Sequence, residues 1–256
     1  MLLKSQFGYL KYKKLLYEVY FREECQRVEL RKLTDKVFYF PHQPQTDRPM
    51  LAYINGEKVA LAIDAGNSAD HVDEFYNSLK AKGLKSPDLT AITHWHWDHT
   101  FGMHHIHGLS IAHRKTNEFL RTEMAKLSDS IYADFLKDDD ECLRREYADD
   151  KEITVVTSDI EFGEGLTINL GGMTAEIFHT ESPHSQDTVL IYIPEERVLF
   201  LGDSICEDFF NNGYMDYAKL NMLINVIEST DSHYLLLSHE EPMTKSDLLK
   251  YLKRLI

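Results

Sequence analysis

Long apolar runs are missing from this chain of 256 residues. None approaches the roughly 20 residues needed to span a bilayer. Lys and Glu break up the stretch from Met1 to Tyr20, where a signal peptide would carry its apolar core. Cysteine is scarce as well. The three present, Cys25, Cys142 and Cys206, are widely spaced and form no C-x-x-C pair, which argues against a disulfide scaffold or a zinc ribbon. A reducing, cytoplasmic setting with no membrane partner is the expectation. Basic residues are outnumbered, with 28 Lys and Arg against 42 Asp and Glu and a formal charge of −14. Nucleic-acid affinity rests on Lys and Arg displacing counterions, so a small-molecule substrate is expected rather than a polyphosphate.

What is present is an ordinary globular composition, 43% hydrophobic and 27% charged. Residues 1–35 read as an N-terminal extension without a clear period, and residues 36–256 as one domain. Short strands are predicted at Val37 to Phe40, Leu51 to Ile54 and Val59 to Ile63, with an Asn55-Gly56 hairpin between the last two. A helix follows Ser68, with Val72, Phe75, Tyr76 and Leu79 as its apolar stripe and Gly83 to stop it. The continuous apolar strand Leu89 to Thr93 then runs into His94-Trp95-His96-Trp97-Asp98-His99.

After a strand at Leu109 to Ala112, residues 115–150 read as a helical insertion, placed to wall a pocket. Its acidic run, Asp138 to Glu141, lacks the spaced ligands and glycine of a calcium loop and is expected to be a solvated face or turn. The second half returns to strands at Ile153 to Val156, Leu166 to Leu170, Thr174 to Phe178, Thr188 to Ile193 and Val198 to Leu201. A helix from Asp216 to Glu228, a strand from Tyr234 to Leu237 and a helix near Thr244, with Asp247 completing a capping box, close the chain. Strands followed by a helix in both halves suggest a two-layered β core with helices outside.

Chemistry concentrates in His-x-His-x-Asp-His, four candidate metal ligands within six residues. In an extended segment His94 and His96 point the same way and can reach one ion. Asp98 and His99, at the turn that follows, can serve a second. Imidazole with carboxylate suits Zn²⁺, Fe²⁺ or Mn²⁺. Trp95 and Trp97 alternate away and are expected in the core. His104, His105 and His107 lie past the motif and are expected on the surface.

At these residues the sequence resembles the metallo-β-lactamase superfamily, whose His-x-His-x-Asp-His motif is complete here. The resemblance runs over roughly residues 36 to 245. It implies an α/β fold, a four-layer αββα sandwich of two mixed β-sheets flanked by helices. It also implies a dinuclear site: one ion on His94, His96 and His184, a second on Asp98, His99 and His239, with Asp203 shared. The segment His179 to Ser185 is one residue longer than the familiar motif and lacks its glycine. His179 and His184 are therefore both candidates, His184 preferred as ligand and His179 as a residue that supports the site. Asp64, in Asp64-Ala65-Gly66, is expected to orient ligands by hydrogen bonds.

The implied activity is a hydrolase that uses a metal-bridging hydroxide on a small ester, thioester, lactone or phosphoester, with Asp98 or a metal-bound water able to return a proton to the leaving group. Zinc is the expected metal, with iron and manganese as alternatives. An aspartate rather than a cysteine at 203 argues against the clinically familiar class B β-lactamases. An iron-dependent oxidoreductase of the sulfur dioxygenase kind is a rival on the same scaffold, as is a nuclease of the RNA-processing branch. The oligomeric state stays open, a homodimer included.

Overall fold

The computed structural model describes residues 28–149 and 151–254. The expectations for residues 1–27, and for Cys25 among them, lie outside the described residues. Thirteen strands and seven α-helices are defined among them. The first sheet holds β1 (Arg31–Lys32), β2 (Val37–Phe40), β3 (Leu51–Asn55), β4 (Ala60–Ile63), β5 (Leu89–Ala91), β6 (Leu109–His113) and β7 (Ile160–Phe162), in chain order. Its first half is an antiparallel meander, and β4 through β7 run parallel. The second sheet is ordered β13 (Met243–Thr244), β12 (Tyr234–Leu237), β11 (Val198–Gly202), β10 (Val189–Ile193), β9 (Thr174–His179) and β8 (Gly165–Asn169). It is antiparallel except for β11 and β12. Both sheets are therefore mixed.

Burial on both faces explains why these strands carry few polar residues. Along β3 the alternation sends Ala52 and Ile54 toward the other sheet, where they meet Ile177, Val189, Ile191 and Phe200. Leu51 and Tyr53 point the opposite way, onto Phe75 and Leu79 of helix α1 (Ala69–Ala81). Across the second sheet, Leu199, Leu201 and Leu235 pack against Leu220, Leu223 and Ile227 of α6 (Tyr217–Ser229) and Leu248 of α7 (Lys245–Leu252). The result is the four-layer αββα sandwich, with one apolar layer between the sheets and one outside each. Every fully buried leucine or isoleucine here contributes about 1.5–3 kcal/mol of transfer free energy.

The helix boundaries follow capping chemistry. The Ser68 side chain accepts from His71 N–H at the start of α1, Asp216 from Ala218 and Lys219 at α6, and Thr244 from Asp247 at α7. The insertion consists of α3 (Arg114–Leu127), α4 (Ser130–Asp139) and α5 (Glu141–Glu146). The acidic run at 138–141 is the joint between two of these helices, where Asp140 caps α5 by accepting from Cys142 and Leu143 N–H.

Two local expectations differ from the structure. Ile153 to Val156 forms no strand; Val155 is buried and Ile153 and Val156 pack on the cluster around Leu120 and Leu143, so the apolar residues serve packing without a ladder partner. The seventh strand lies later, at Ile160–Phe162. The Asn55-Gly56 turn is not a two-residue hairpin: four residues separate β3 from β4, and Gly56 is not in the left-handed region. Its glycine is required by close approach, because a Cβ there would lie 2.4 Å from the Leu170 carbonyl. That contact docks the turn of the first sheet on the second.

Candidate metal centre

Strand ends from both sheets converge on one edge of the sandwich, and each delivers a polar residue there. Asp64 follows β4, the His94 to His99 segment follows β5, His184 lies in the loop between β9 and β10, Asp203 follows β11, and His239 follows β12. The short helix α2 (Trp97–Thr100) turns Asp98 and His99 back toward the edge. All are buried except His239, which keeps 26% of its side chain exposed.

Two donor sets result. In the first, His184 Nε2 lies 3.3 Å from His94 Nε2 and 2.9 Å from His96 Nδ1. Nitrogens around one tetrahedral ion at Zn–N of roughly 2.0–2.1 Å would stand about 3.3 Å apart. The second set is Asp98, His99, Asp203 and His239. His99 Nε2 is 3.1 Å from Asp98 Oδ2, and His239 Nε2 is 3.2 Å from the same oxygen. Asp203 Oδ2 faces both sets, at 3.1 Å from His239 Nε2, 3.6 Å from His99 Nε2 and 3.9 Å from His184 Nε2.

The far side of each ring fixes which nitrogen points inward. His99 Nδ1–H donates to Asp64 at 2.8 Å, and His184 Nδ1–H donates to the Glu207 carbonyl at 2.9 Å, so both rings turn Nε2 inward. The Thr93 hydroxyl lies 2.9 Å from Asp64 Oδ2 and 3.1 Å from His94 Nδ1. It donates to the carboxylate and accepts from the imidazole, which sets the His94 tautomer. Asp64 also accepts from Thr93 N–H at 2.7 Å. Its left-handed backbone, φ 61°, holds the carboxylate under the site.

Electrostatics divides the two sets. Burial, and then the neighbouring imidazoles, push His94 and His96 well below the usual histidine range, so both rings are neutral with lone pairs available. Burial also opposes the charge on His99 and His239, but Asp98, Asp64 and Asp203 around the first, and Asp203 and Asp47 around the second, more than offset it and raise both well above that range. A buried donor arrangement of this kind, with neutral imidazoles turned nitrogen to nitrogen, is costly without a cation between them. The residues fit two divalent cations.

Some residues fall outside this arrangement. His179 belongs to neither set; its Nε2–H donates to the Gln186 carbonyl at 2.9 Å, and its ring stacks on His113 at 4.2 Å. His104, His105 and His107 are exposed. Cys206 is half-buried, its thiol pushed up by burial and by Asp203. Trp97 packs on the core cluster, but Trp95 does not follow it. The Trp95 ring lies against Phe119 of α3 at 5.3 Å and Phe210 at 4.9 Å, beside His96. Alternation correctly turned it from the metal side, yet the face it reached is a wall of the site.

Sequence reasoning missed three contributors. Asp47 Oδ1 lies 3.5 Å from His239 Nδ1, and His42 packs edge-on against the His239 ring at 4.8 Å. Asp187, fully buried, accepts from Ser185 and Thr116 hydroxyls at 2.5 and 2.7 Å and from the Trp95 N–H. None sits in a motif or a periodic segment, so no local signal marked them.

Comparison with protein families matches residues 51–214 to the Metallo-beta-lactamase superfamily. The chain belongs to that superfamily. Among individual proteins, it is similar to the acyl-coenzyme A thioesterase MBLAC2 of Homo sapiens, 20% identical over 212 residues, which cover 77% of this chain and 73% of that protein. Among solved structures it resembles a metallo-beta-lactamase from Pontibacter korlensis, with TM-score 0.62, 18% identity, and 88% and 99% of the two chains covered. The stereoselective inverting sec-alkylsulfatase Pisa1 from Pseudomonas sp. gives TM-score 0.65 at 15% identity, covering 88% of this chain and 40% of that one. At these identities the structural likeness speaks for the fold.

Proposed function

We propose that the chain is a metal-dependent hydrolase of small esters or thioesters, with His94, His96 and His184 holding one divalent ion, Asp98, His99 and His239 a second, and Asp203 shared. The observation that carries this reading is the placement of Asp203 Oδ2 within 3.1 to 3.9 Å of nitrogens from both sets. Two such ions, when bound, lower the pKa of water toward neutrality and polarise a scissile carbonyl. Imidazole and carboxylate without thiolate suit zinc, and also iron or manganese.

The chain's own residues do the rest. Asp64 and Thr93 hold His99 and His94 in the tautomers described above, and the Glu207 carbonyl does the same for His184. On this reading Asp98 would hold a proton and return it to the leaving group. The thioesterase named among the relatives supports an acyl substrate. The charge of −14 disfavours a polyphosphate. We also infer that the protein acts in the cytoplasm on a small molecule.

The test is metal content per chain on protein purified without added metal, followed by turnover of acyl thioesters, esters, lactones and phosphodiesters after reconstitution. About two zinc or manganese ions and hydrolysis abolished by His96→Ala are expected. A single iron with oxygen consumption, or no bound metal, would overturn the reading.

A further inference from the structure

The walls beside the two donor sets differ in chemistry. Around His239 the neighbours are His42 and Asp47, both polar. Around the three-histidine set they are aromatic. Phe210 lies 5.0 Å from His96 and 4.9 Å from Trp95, Trp95 lies 5.3 Å from Phe119, and Phe209 meets the His184 ring at 5.6 Å. Phe209 and Phe210 remain 52% and 69% exposed, although they abut buried ligand imidazoles.

This exposure is built into the loop. The Asp208 side chain accepts from Phe210 and Asn211 N–H, Asp208 bridges to Tyr214, and Asn212 and Gly213 turn the chain in the left-handed region. The turn therefore presents two adjacent phenyl rings at the mouth of the site, where burial would be the cheaper placement. On the other side, α3 of the insertion brings Phe119 under Trp95, and Thr116, one turn earlier, bonds to Asp187 at 2.7 Å. The insertion and the 206–214 loop thus meet around one indole.

We propose that Phe210, Trp95, Phe119 and Phe209 form the subsite for the apolar acyl chain of the substrate, on the side of the three-histidine set, with the polar leaving group directed toward His42 and Asp47. The inference rests on the hydrolase reading above and adds to it the substrate class and its orientation. Three of the four shelf side chains are phenyl rings and the fourth is an indole, so the shelf rewards added methylenes rather than a polar arm. Its continuity with the ligand imidazoles identifies the occupant as part of the reacting molecule, since a chain lying on Phe210 ends at His96.

The experiment uses the full chain loaded with zinc and two readouts, calorimetric binding of butanoate, hexanoate and octanoate, and turnover of the corresponding thioesters and alkyl sulfates. A fully buried methylene strengthens binding about fourfold, so an increase of at least about tenfold from butanoate to octanoate is expected with partial burial. Phe210→Ala should collapse that gradient and Phe210→Leu should keep most of it; circular dichroism checks that both variants are folded, as the exposure of Phe210 leads one to expect. Binding that does not grow with chain length, or grows equally in Phe210→Ala, overturns the subsite even if the thioesters are hydrolysed. A gradient that persists without thioester hydrolysis leaves the subsite standing and overturns the thioesterase reading. Turnover of the alkyl sulfates alone would do the same and name the reacting group.

Discussion

Arg48 and Glu146 form a buried two-pronged ion pair, with Nε and Nη2 donating to the two carboxylate oxygens at 2.9 and 2.7 Å. Arg48 also reaches Glu74 of α1 at 2.9 Å, and the Ser68 hydroxyl that caps α1 donates to Glu146. One arginine thus ties the 41–49 loop to the insertion and to the first helix. Its neighbour Asp47 is the carboxylate facing His239, so the clamp also holds one wall of the metal centre.

Removing one partner of such a pair leaves the other charged and buried. Glu146→Ala is expected to cost about 3–5 kcal/mol, measured as a lower urea midpoint at unchanged slope. Arg48→Met/Glu146→Leu together should recover much of that loss, because two apolar groups of similar size leave no stranded charge. A single variant within about 0.5 kcal/mol of the wild type would show that water reaches the pair.

Asp64 is hydrogen-bonded to His99 Nδ1, so on the proposed reading it acts on metal binding through that ring. Asp64→Ala strands the Thr93 N–H and hydroxyl and frees the His99 ring. Metal affinity should fall about 10–100-fold, read by competition with a chromophoric chelator. Asp47→Asn, whose contact to His239 is longer at 3.5 Å, should fall by less. Equal losses in both would mean that the two carboxylates act by charge alone and not by orienting rings.

Much of the centre was legible because its donors sit in a short motif or directly after apolar strands, and strand ends on one edge of a sandwich meet. Asp203 and His239 could be found in this way, each following a run of buried residues. Asp47, His42 and Asp187 could not, since their roles come from loops folded against the site rather than from a repeat. The two-residue strands Arg31–Lys32 and Met243–Thr244 are too short to carry a period. Ile153 to Val156 shows the converse error, β-branched residues chosen for packing and not for a ladder. Trp95 was misread because alternation tells which way a side chain points, not what covers it.

His113 supplies a pH dependence of stability away from the metals. Its Nδ1 accepts from Lys115 N–H at the start of α3, which requires a neutral ring. Burial, with the stacked His179 and the cations Arg114 and Lys115, lowers its pKa from 6.5 to about 4. The unfolded chain therefore takes up a proton first as pH falls, and this contribution is present above 6.5, lost between 6.5 and about 4, and constant below. His113→Asn keeps a capping side chain without the titration. Its melting temperature should fall less than that of the wild type between pH 7 and 4.5; parallel curves would assign the acid sensitivity to other groups.

Asp187 offers the sharpest separation of position from chemistry. It touches neither donor set, yet it joins Ser185, next to His184, to Thr116 of the insertion and to the Trp95 backbone, next to His94 and His96. Burial raises its pKa, the hydroxyl and backbone donors opposing that rise. Asp187→Asn can still accept from two donors but also introduces an N–H₂ that must find a partner, whereas Asp187→Ala leaves all three donors unmet. Each unmet buried donor costs about 1–3 kcal/mol, so the alanine variant should be the less stable by chemical denaturation. Both should bind metal more weakly at the three-histidine set, because the 182–188 loop that carries His184 loses its tie to the His94 and His96 segment. If metal affinity were unchanged while stability fell, Asp187 would be a packing residue of the insertion, and the His184 loop would be held by the Ser182 and Thr188 hydroxyl pair at 2.7 Å instead.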